Sequence, residues 1–397
     1  MKTKLLLLAL LTAGCGLQSY AQWVSVSSSA TTGKYESIYF WDANNGIASS
    51  SSNLIKTSNG GTTWTGISGA PGIRDIDFTS ATVGYAAGSV STSLKKTTNA
   101  GTTWTALTPI NSSSLWGVSV VDANTAYVSG VSGIVWKTTN GGSTWTAVNL
   151  GVSTLLVDLQ FFNATTGCIL DQSSRVYRTT NGGTTWTNTY TGTGSLFTSM
   201  YFVNTSVGFA VGSSGKIIKS TDGGLSWTPL TSGSTAYLQY VHFYDVNNGI
   251  VAGLGGVVLR TTNGGTTWFQ ETTGTTQDLY SCILLSPTSA IAAGNAGTVI
   301  KNTNLTSGIE DPGMLDVSVN TYPNPFSDHF TCTISGTGSD ADLSMDVYDI
   351  NGKLMLSTEL AKDENTIETA GWSEGTYMYA IKQKGVLVKS GKIVRMK

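Results

Sequence analysis

Residues 22–309 hold eleven Asp or Glu, four Arg and one His, and where these fall decides what chemistry the region could do. Asp75 and Asp77 have the same-face spacing of a strand, and with Glu36 and Asp158 they fall near the apolar stretches expected to lie innermost. Two such carboxylates could hydrolyse a glycosidic bond. Arg74 adjoins the pair, however, and an ion-paired rim explains the same residues. A serine or cysteine nucleophile needs a partnered base, for which His242 is the one candidate in this region. Cys168, Cys282 and Cys332 lie far apart, and neither His242 nor His329 is near a cysteine. No metal, cofactor or disulfide framework is therefore expected. Twelve basic against eleven acidic residues leave no field to attract nucleic acid.

The elements that must position these groups come from a repeat. The phrase Thr179-Thr180-Asn181-Gly182-Gly183-Thr184-Thr185-Trp186 returns with copies ending at Trp64, Trp104, Trp145, Trp186, Trp227 and Trp268. The intervals are 40, 41, 41, 41 and 41 residues, the period of a repeat architecture. Asn-Gly-Gly tolerates positive φ and its flanks are β-branched, so each copy reads as a tight hairpin covered by its Trp. The phrase resembles the Asp-box, or bacterial neuraminidase repeat, with pattern Ser/Thr-x-Asp-x-Gly-x-x-Trp. Asp222 fits fully, while Asn59, Asn99, Asn140, Asn181 and Asn263 stand where the family usually has Asp. The resemblance implies a β-propeller with the boxes on outer hairpins, away from the ligand face.

Trp23 lies 41 residues before Trp64 with no box in front of it, and the last module ends in the truncated box Lys301-Asn302-Thr303-Asn304-Leu305. The start of the chain holds what the end lacks. A ring in which the N-terminal strand completes the final blade removes both sheet edges. Four strands per module predict an all-β, seven-bladed propeller, with small residues in the second strand letting neighbouring blades approach. A basic residue precedes every box: Lys56, Lys96, Lys137, Arg178, Lys219, Arg260 and Lys301. It reads as an outward-facing position serving the repeat, in preference to a cationic ring for a ligand.

Modules aligned on Phe40, Phe78, Val120, Phe161, Phe202, Phe243 and Leu284 have a uniformly apolar position five residues earlier, which reads as core. The position four residues earlier varies: Glu36, Arg74, Trp116, Val157, Thr198, Gln239, Tyr280. Recognition on a symmetric scaffold needs such variety. The candidate ligand face is Glu36, Arg74, Asp75, Trp116, Asp158, Gln239 and Tyr280, with no catalytic residue assigned.

Residues 1–21 read as a secretory signal, with Lys2 and Lys4, the apolar run Leu5 to Leu11, and Ser19-Tyr20-Ala21 before the cut. The run is too short to span a membrane. An alternative cut before Cys15 would give a lipoprotein. The propeller is expected over 22–309, a linker over 310–316 and a small antiparallel β-sandwich over 317–397. In that tail Tyr322-Pro323-Asn324-Pro325-Phe326, Val347-Tyr348-Asp349-Ile350-Asn351-Gly352-Lys353, Gly375-Thr376-Tyr377-Met378-Tyr379 and Gly391-Lys392-Ile393-Val394 occur in order. Together they resemble the C-terminal sorting domain of the type IX secretion system of Bacteroidetes-type bacteria. This implies export to the cell surface or the medium, with the secretion machinery as a partner.

Asp-boxes invite comparison with sialidases, which clamp a substrate carboxylate with three arginines. Arg178 and Arg260 occupy the repeated basic position, leaving two others, so the triad is not supported. Tandem boxes without sialidase residues resemble the group related to the photosystem II stability and assembly factor, a seven-bladed propeller that binds a partner protein. The expectation is a secreted or cell-surface, non-catalytic scaffold that binds a protein or glycan. A glycoside hydrolase or sialidase-related enzyme is the alternative.

Overall fold

The computed structural model describes residues 23–26, 33–50, 54–67, 72–89, 94–107, 114–305, 318–335, 343–361, 363–383 and 386–396. The expected signal sequence, its alternative cut and the 310–316 linker lie outside the described residues. The chain divides into two compact units, Met1–Gly308 and Ile309–Lys397.

The first unit is a seven-bladed propeller of four-stranded antiparallel sheets. Blade 1 runs outward from the centre through Tyr35–Phe40, Gly46–Ser50, Leu54–Thr57 and Thr65–Ile67. Blades 2 to 6 repeat this order from inner strands Ile73–Phe78, Leu115–Val120, Leu156–Phe161, Phe197–Phe202 and Leu238–Phe243. Blade 7 takes Leu279–Ser286, Ser289–Gly294 and Val299–Asn302 from the far end of the unit and its outer strand, Val24–Ser25, from the start. Val24 lies opposite Lys301, and Ser25 opposite Ile300. Trp23, 4% exposed, packs in one cluster with Leu305, Ile300 and Ala290.

Within a blade, the packing follows from one glycine. A Cβ added at Gly46, Gly84, Gly167, Gly208 or Gly249 would come within 2.4–2.6 Å of the ring of Phe40, Phe78, Phe161, Phe202 or Phe243 in the same blade. The freed space seats that ring, which then meets the box tryptophan edge to face. In these five blades the centroids are 5.6–6.0 Å apart and the planes 78–89° from each other. The glycine that opens the second strand thus serves its own blade.

The boxes close their hairpins with side-chain bonds. Thr57 Oγ1 accepts from Gly61 N at 2.9 Å, and Asn59 Oδ1 accepts from Thr63 N at 2.9 Å. Asn59 Nδ2 donates to Thr63 Oγ1 at 2.9 Å, while Gly60 and Gly61 have φ of 65° and 76°. Asn99, Asn140, Asn181 and Asn263 repeat the side-chain pair. Asn serves in the place of Asp, its amide accepting from the backbone and donating to the threonine hydroxyl. At Asp222 the Ser226 hydroxyl donates instead, at 2.6 Å.

The basic residue before each box does more than face outward. Lys56, Lys96, Lys137, Arg178 and Lys219 donate to the carbonyls of Ala100, Gly141, Gly182, Gly223 and Gly264, in the box turn of the next blade, at 2.7–3.4 Å. Lys301 closes the circle on Thr62 Oγ1 at 3.3 Å. The departure from expectation is one of reach: a box carbonyl of the adjoining blade lies within a lysine's length. The side chains are half-buried because they cross the seam.

The second unit packs a three-stranded sheet (Ser318–Tyr322, His329–Ser335, Asp363–Glu368) against a four-stranded one (Leu354–Leu360, Leu343–Asp349, Gly375–Gln383, Val386–Arg395). Phe330, Cys332 and Ile334 from the first meet Met345, Val347, Tyr379 and Ile381 from the second in the core. Its sequence phrases meet in space. Asn324 Oδ1 accepts from Val394 N at 2.9 Å, Asn324 Nδ2 donates to Lys392 O at 3.0 Å, and Phe326 N donates to Val394 O at 2.9 Å.

Closure through the first strand has a direct consequence. Trp23→Ala removes a buried indole and should cost about 3–5 kcal/mol. Urea unfolding should show that loss, whereas Val24→Ala, at an exposed side chain, should leave the midpoint nearly unchanged.

Candidate functional site

The seven inner strands run around a central cavity of about 520 Å³. Each slips register once near its start, between Tyr35 and Ser37 in blade 1 and at the matching place in the others. Such a bulge leaves a residue unpaired and re-aims its side chain. The residues so released are Glu36, Arg74, Trp116 (with Gly117), Val157, Thr198, Gln239 and Tyr280, and the cavity wall includes all seven named side chains. The residues just before them, from Tyr35 to Leu279, are 0–4% exposed. Position along the inner strand therefore separates core from mouth.

The mouth is lopsided. Arg74 Nε lies 3.8 Å from Glu36 Oε2, and Lys34 Nζ lies 2.9 Å from Glu36 Oε1. The Arg74 guanidinium stacks 3.8 Å over Trp116, and Lys34 Nζ sits 3.8 Å over the Tyr280 ring. Two cations, one carboxylate and two aromatic faces thus form a continuous arc. The facing arc is neutral, with Val157, Gln239 and Thr198, whose hydroxyl donates to Leu238 O at 2.8 Å.

Below the mouth the wall is a set of fastenings. Asp75 Oδ2 accepts from Val118 N of the next blade at 2.9 Å, while its Oδ1 accepts from Ile76 N at 2.9 Å and Ser37 Oγ at 3.3 Å. Asp77 spans the same seam to Val120 N at 2.7 Å and also accepts from Phe78 N at 2.8 Å. Asp158 accepts from Met200 N and Leu159 N, both at 2.7 Å. Gln160 takes Phe202 N at 2.7 Å, Ser119 takes Phe161 N at 2.9 Å, and His242 Nδ1 takes Leu284 N at 3.2 Å. Ser281 Oγ carries the pattern across the closure to Ile38 N at 3.0 Å.

This corrects the ion-paired rim expected around Arg74. The bulge turns Arg74 up to Glu36, while Asp75 and Asp77, in regular strand, turn to the neighbouring blade. Asp75 and Asp158 do line the cavity with the other ligand-face candidates, but both oxygens of each already accept backbone amides. Arg175 is held by Asp171 at 2.6 Å, and Arg178 and Arg260 donate to the carbonyls of Gly223 and Pro287. Among the described residues of this unit, Arg74 is the guanidinium on the cavity wall. Sequence reasoning missed Lys34, Ser119, Gln160 and Tyr240 on that wall. Ser119 and Gln160 each take an inner-strand amide 42 positions on, a separation that no local pattern reveals.

The photosynthesis system II assembly factor YCF48 family matches residues 67–188 and 191–304, more than half of the chain, and the chain belongs to that family. A secretion system C-terminal sorting domain matches residues 320–395 and marks the chain for type IX export to the cell surface or the medium. Among the described residues, no helix is long and apolar enough to cross a membrane. No curated protein matches the chain. Among solved structures, YCF48 bound to a D1 peptide superposes with TM-score 0.60 at 18% identity, covering 72% of this chain and 96% of that one. YCF48 from Cyanidioschyzon merolae gives 0.59 at 18% identity, over 71% and 98%. A GH74 enzyme from Niastella koreensis gives 0.59 at 15% identity, over 93% and 74%. At these identities the likeness is one of fold.

The fastenings also set the electrostatics. Burial raises Asp77 to about 7 and outweighs the amide bonds from Val120 and Phe78. Burial likewise raises Asp75 and Asp158, and the Asp75 charge pushes Asp158 further up. Burial lowers His242 to about 3, so it stays neutral and accepts from Leu284 N. A carboxyl raised on folding holds its proton more tightly in the folded chain, so stability falls as pH rises from the unfolded value near 3.8 through the folded one. Turn carboxylates act in the opposite sense. Asp42 is held low by Asn45 and Asn44, and at Asp222 desolvation pushes upward but the bonds from Ser226 and Ser220 together overcome it and bring the carboxyl to about 2. Their stabilisation disappears as pH falls below about 4. The thermal midpoint should peak near about pH 5 and decline toward about pH 8. Asp77→Asn should shrink that decline while lowering the midpoint at every pH, since its amide nitrogen must face an N–H.

Proposed function

We propose that this exported propeller is a non-catalytic scaffold that binds a segment of a partner protein at its central mouth. The carrying observation is the ring of seven bulges, which aims one variable side chain per blade at a single cavity while the residues around it stay with the repeat. An arc of stacked cations and aromatic rings facing a neutral arc suits an extended peptide of mixed polarity. The likeness to YCF48 bound to a D1 peptide supports a peptide as the ligand class. Nothing photosynthetic is carried over with it.

Of the carboxylates that first suggested glycoside hydrolysis, Asp75, Asp77 and Asp158 hold backbone amides and Glu36 is shared by Lys34 and Arg74, which argues for binding over catalysis. The GH74 likeness is the point in favour of an enzyme, and it rests on the fold. The sorting domain supports contact with the type IX machinery during export.

Peptide and glycan arrays probed with the full-length protein test this reading. Trp116→Ala or Tyr280→Ala should weaken the best peptide ligand at least about tenfold, or about 1.4 kcal/mol, with the unfolding midpoint unchanged. Glycan hydrolysis that disappears in Glu36→Gln would defeat the binding-only account.

A further inference from the structure

Below the mouth, the cavity is acidic. Asp75, Asp77 and Asp158 line it together with the phenols of Tyr39, Tyr201 and Tyr240. A carboxylate oxygen can accept two hydrogen bonds, and among the described residues Asp75 Oδ1 is the one oxygen of this tier with two protein donors at hydrogen-bonding geometry. Acceptor capacity therefore remains on the other oxygens. Among the described residues no cation faces them at this depth. Lys34 and Arg74 stand at the mouth and share Glu36, and His242 is neutral.

Ser199 is an independent sign that something is missing. It is 2% exposed and lines the cavity beside Asp158, near enough to hold that carboxyl down a little, yet its Oγ meets no partner at full hydrogen-bonding geometry. The equivalent residue of blade 7, Ser281, bonds the next inner strand. Ser199 is not drawn into its seam.

We propose that this tier receives an alkylammonium group, carried by a lysine side chain or a peptide amino terminus of the ligand seated at the mouth. The inference rests on the mouth as the binding face and names the chemistry of what enters it. Asp75, Asp158 and the Ser199 hydroxyl offer three acceptors to the three N–H donors of an ammonium. Asp75 lies one residue beyond Arg74 and Asp77 three, so the tier begins about 3 Å below the mouth and ends about 10 Å below it, at about 3.3 Å per residue. A lysine stem spans the first of these. Its methylenes would run past Trp116 and Tyr240.

The titration of the tier agrees with a missing counter-charge. Asp75, Asp77 and Asp158 are all raised, and Tyr240 is pushed up by burial and then by Asp75 and Asp158. A bound ammonium lowers the carboxyl values again, so it binds more tightly as pH rises and releases protons as it does so.

Calorimetry on the full-length protein with N-acetyl-lysinamide, its norleucine isostere, and glycinamide as a free α-amine tests this. The lysine probe should bind at least tenfold more tightly than norleucine, gain several-fold between pH 6 and pH 8, and release protons. Ser199→Ala should weaken it several-fold without moving the unfolding midpoint, which keeps the test sound should Asp158→Asn fail to fold. Tighter binding of glycinamide than of the lysine probe would support the proposal and assign the ammonium to an amino terminus. Equal affinity for norleucine, or binding of neither amine, overturns it. An array peptide that needs Trp116 but tolerates norleucine for its lysines and an acetylated amino terminus overturns this inference and leaves the mouth as a binding face standing.

Discussion

Neighbouring inner strands in a propeller splay around an axis and cannot pair with one another, so the amides on their inner edges need other acceptors. A buried N–H without one costs about 1–3 kcal/mol, and the inner strands present several to the same cavity. The molecule answers with side chains. Asp75, Asp77, Asp158, Gln160, Ser119, His242 and Ser281 each accept an amide from the blade that follows. Where the preceding blade supplies no acceptor, the carboxylate bends to its own neighbour as well. Gly117 has no side chain to offer, and Asp158 Oδ1 takes Leu159 N. The acidity of the cavity is thus a by-product of how the blades are joined.

The outer circumference is fastened with the opposite charge. There Lys and Arg side chains donate to box carbonyls of the next blade. Acids meet amide donors at the centre, and bases meet carbonyl acceptors at the rim. Apart from Thr198, which donates to Leu238 O of the next blade, the bulged residues make no bond in either seam, and there the sequence varies from blade to blade. The scaffold's regularity and the mouth's irregularity have one origin.

Much of this was legible in the sequence. The period fixed the number of blades, the displaced Trp23 pointed to closure, and the alternation of uniform and varied positions marked the mouth before any bulge was seen. The seams were not legible, because their partners lie one period and a little more apart. Asp75 and Val118, or Lys96 and Gly141, are neighbours only once adjacent blades stand side by side. Local reading therefore paired Arg74 with the aspartates beside it in sequence, and missed that a register slip sends consecutive side chains to different partners. The small residues of the second strand were read together as clearance between blades, and nothing local shows that a phenylalanine of the same blade lies over the glycine that opens it.

The pairing of Val24 with Lys301 also sets the longest loop the fold must close. The outermost strand of blade 7, Val24–Ser25, precedes the rest of the ring in the chain, and its partner, Val299–Asn302, follows all of it. The loop that joins them is almost the entire unit, so their meeting is the slowest contact to form and the one with the greatest chain entropy to overcome. Without that pairing the sheet of blade 7 would have three strands and an open edge. The two-residue pairing of Val24 and Ser25 with Lys301 and Ile300 thus carries the largest loop-closure cost of any strand pairing in the ring.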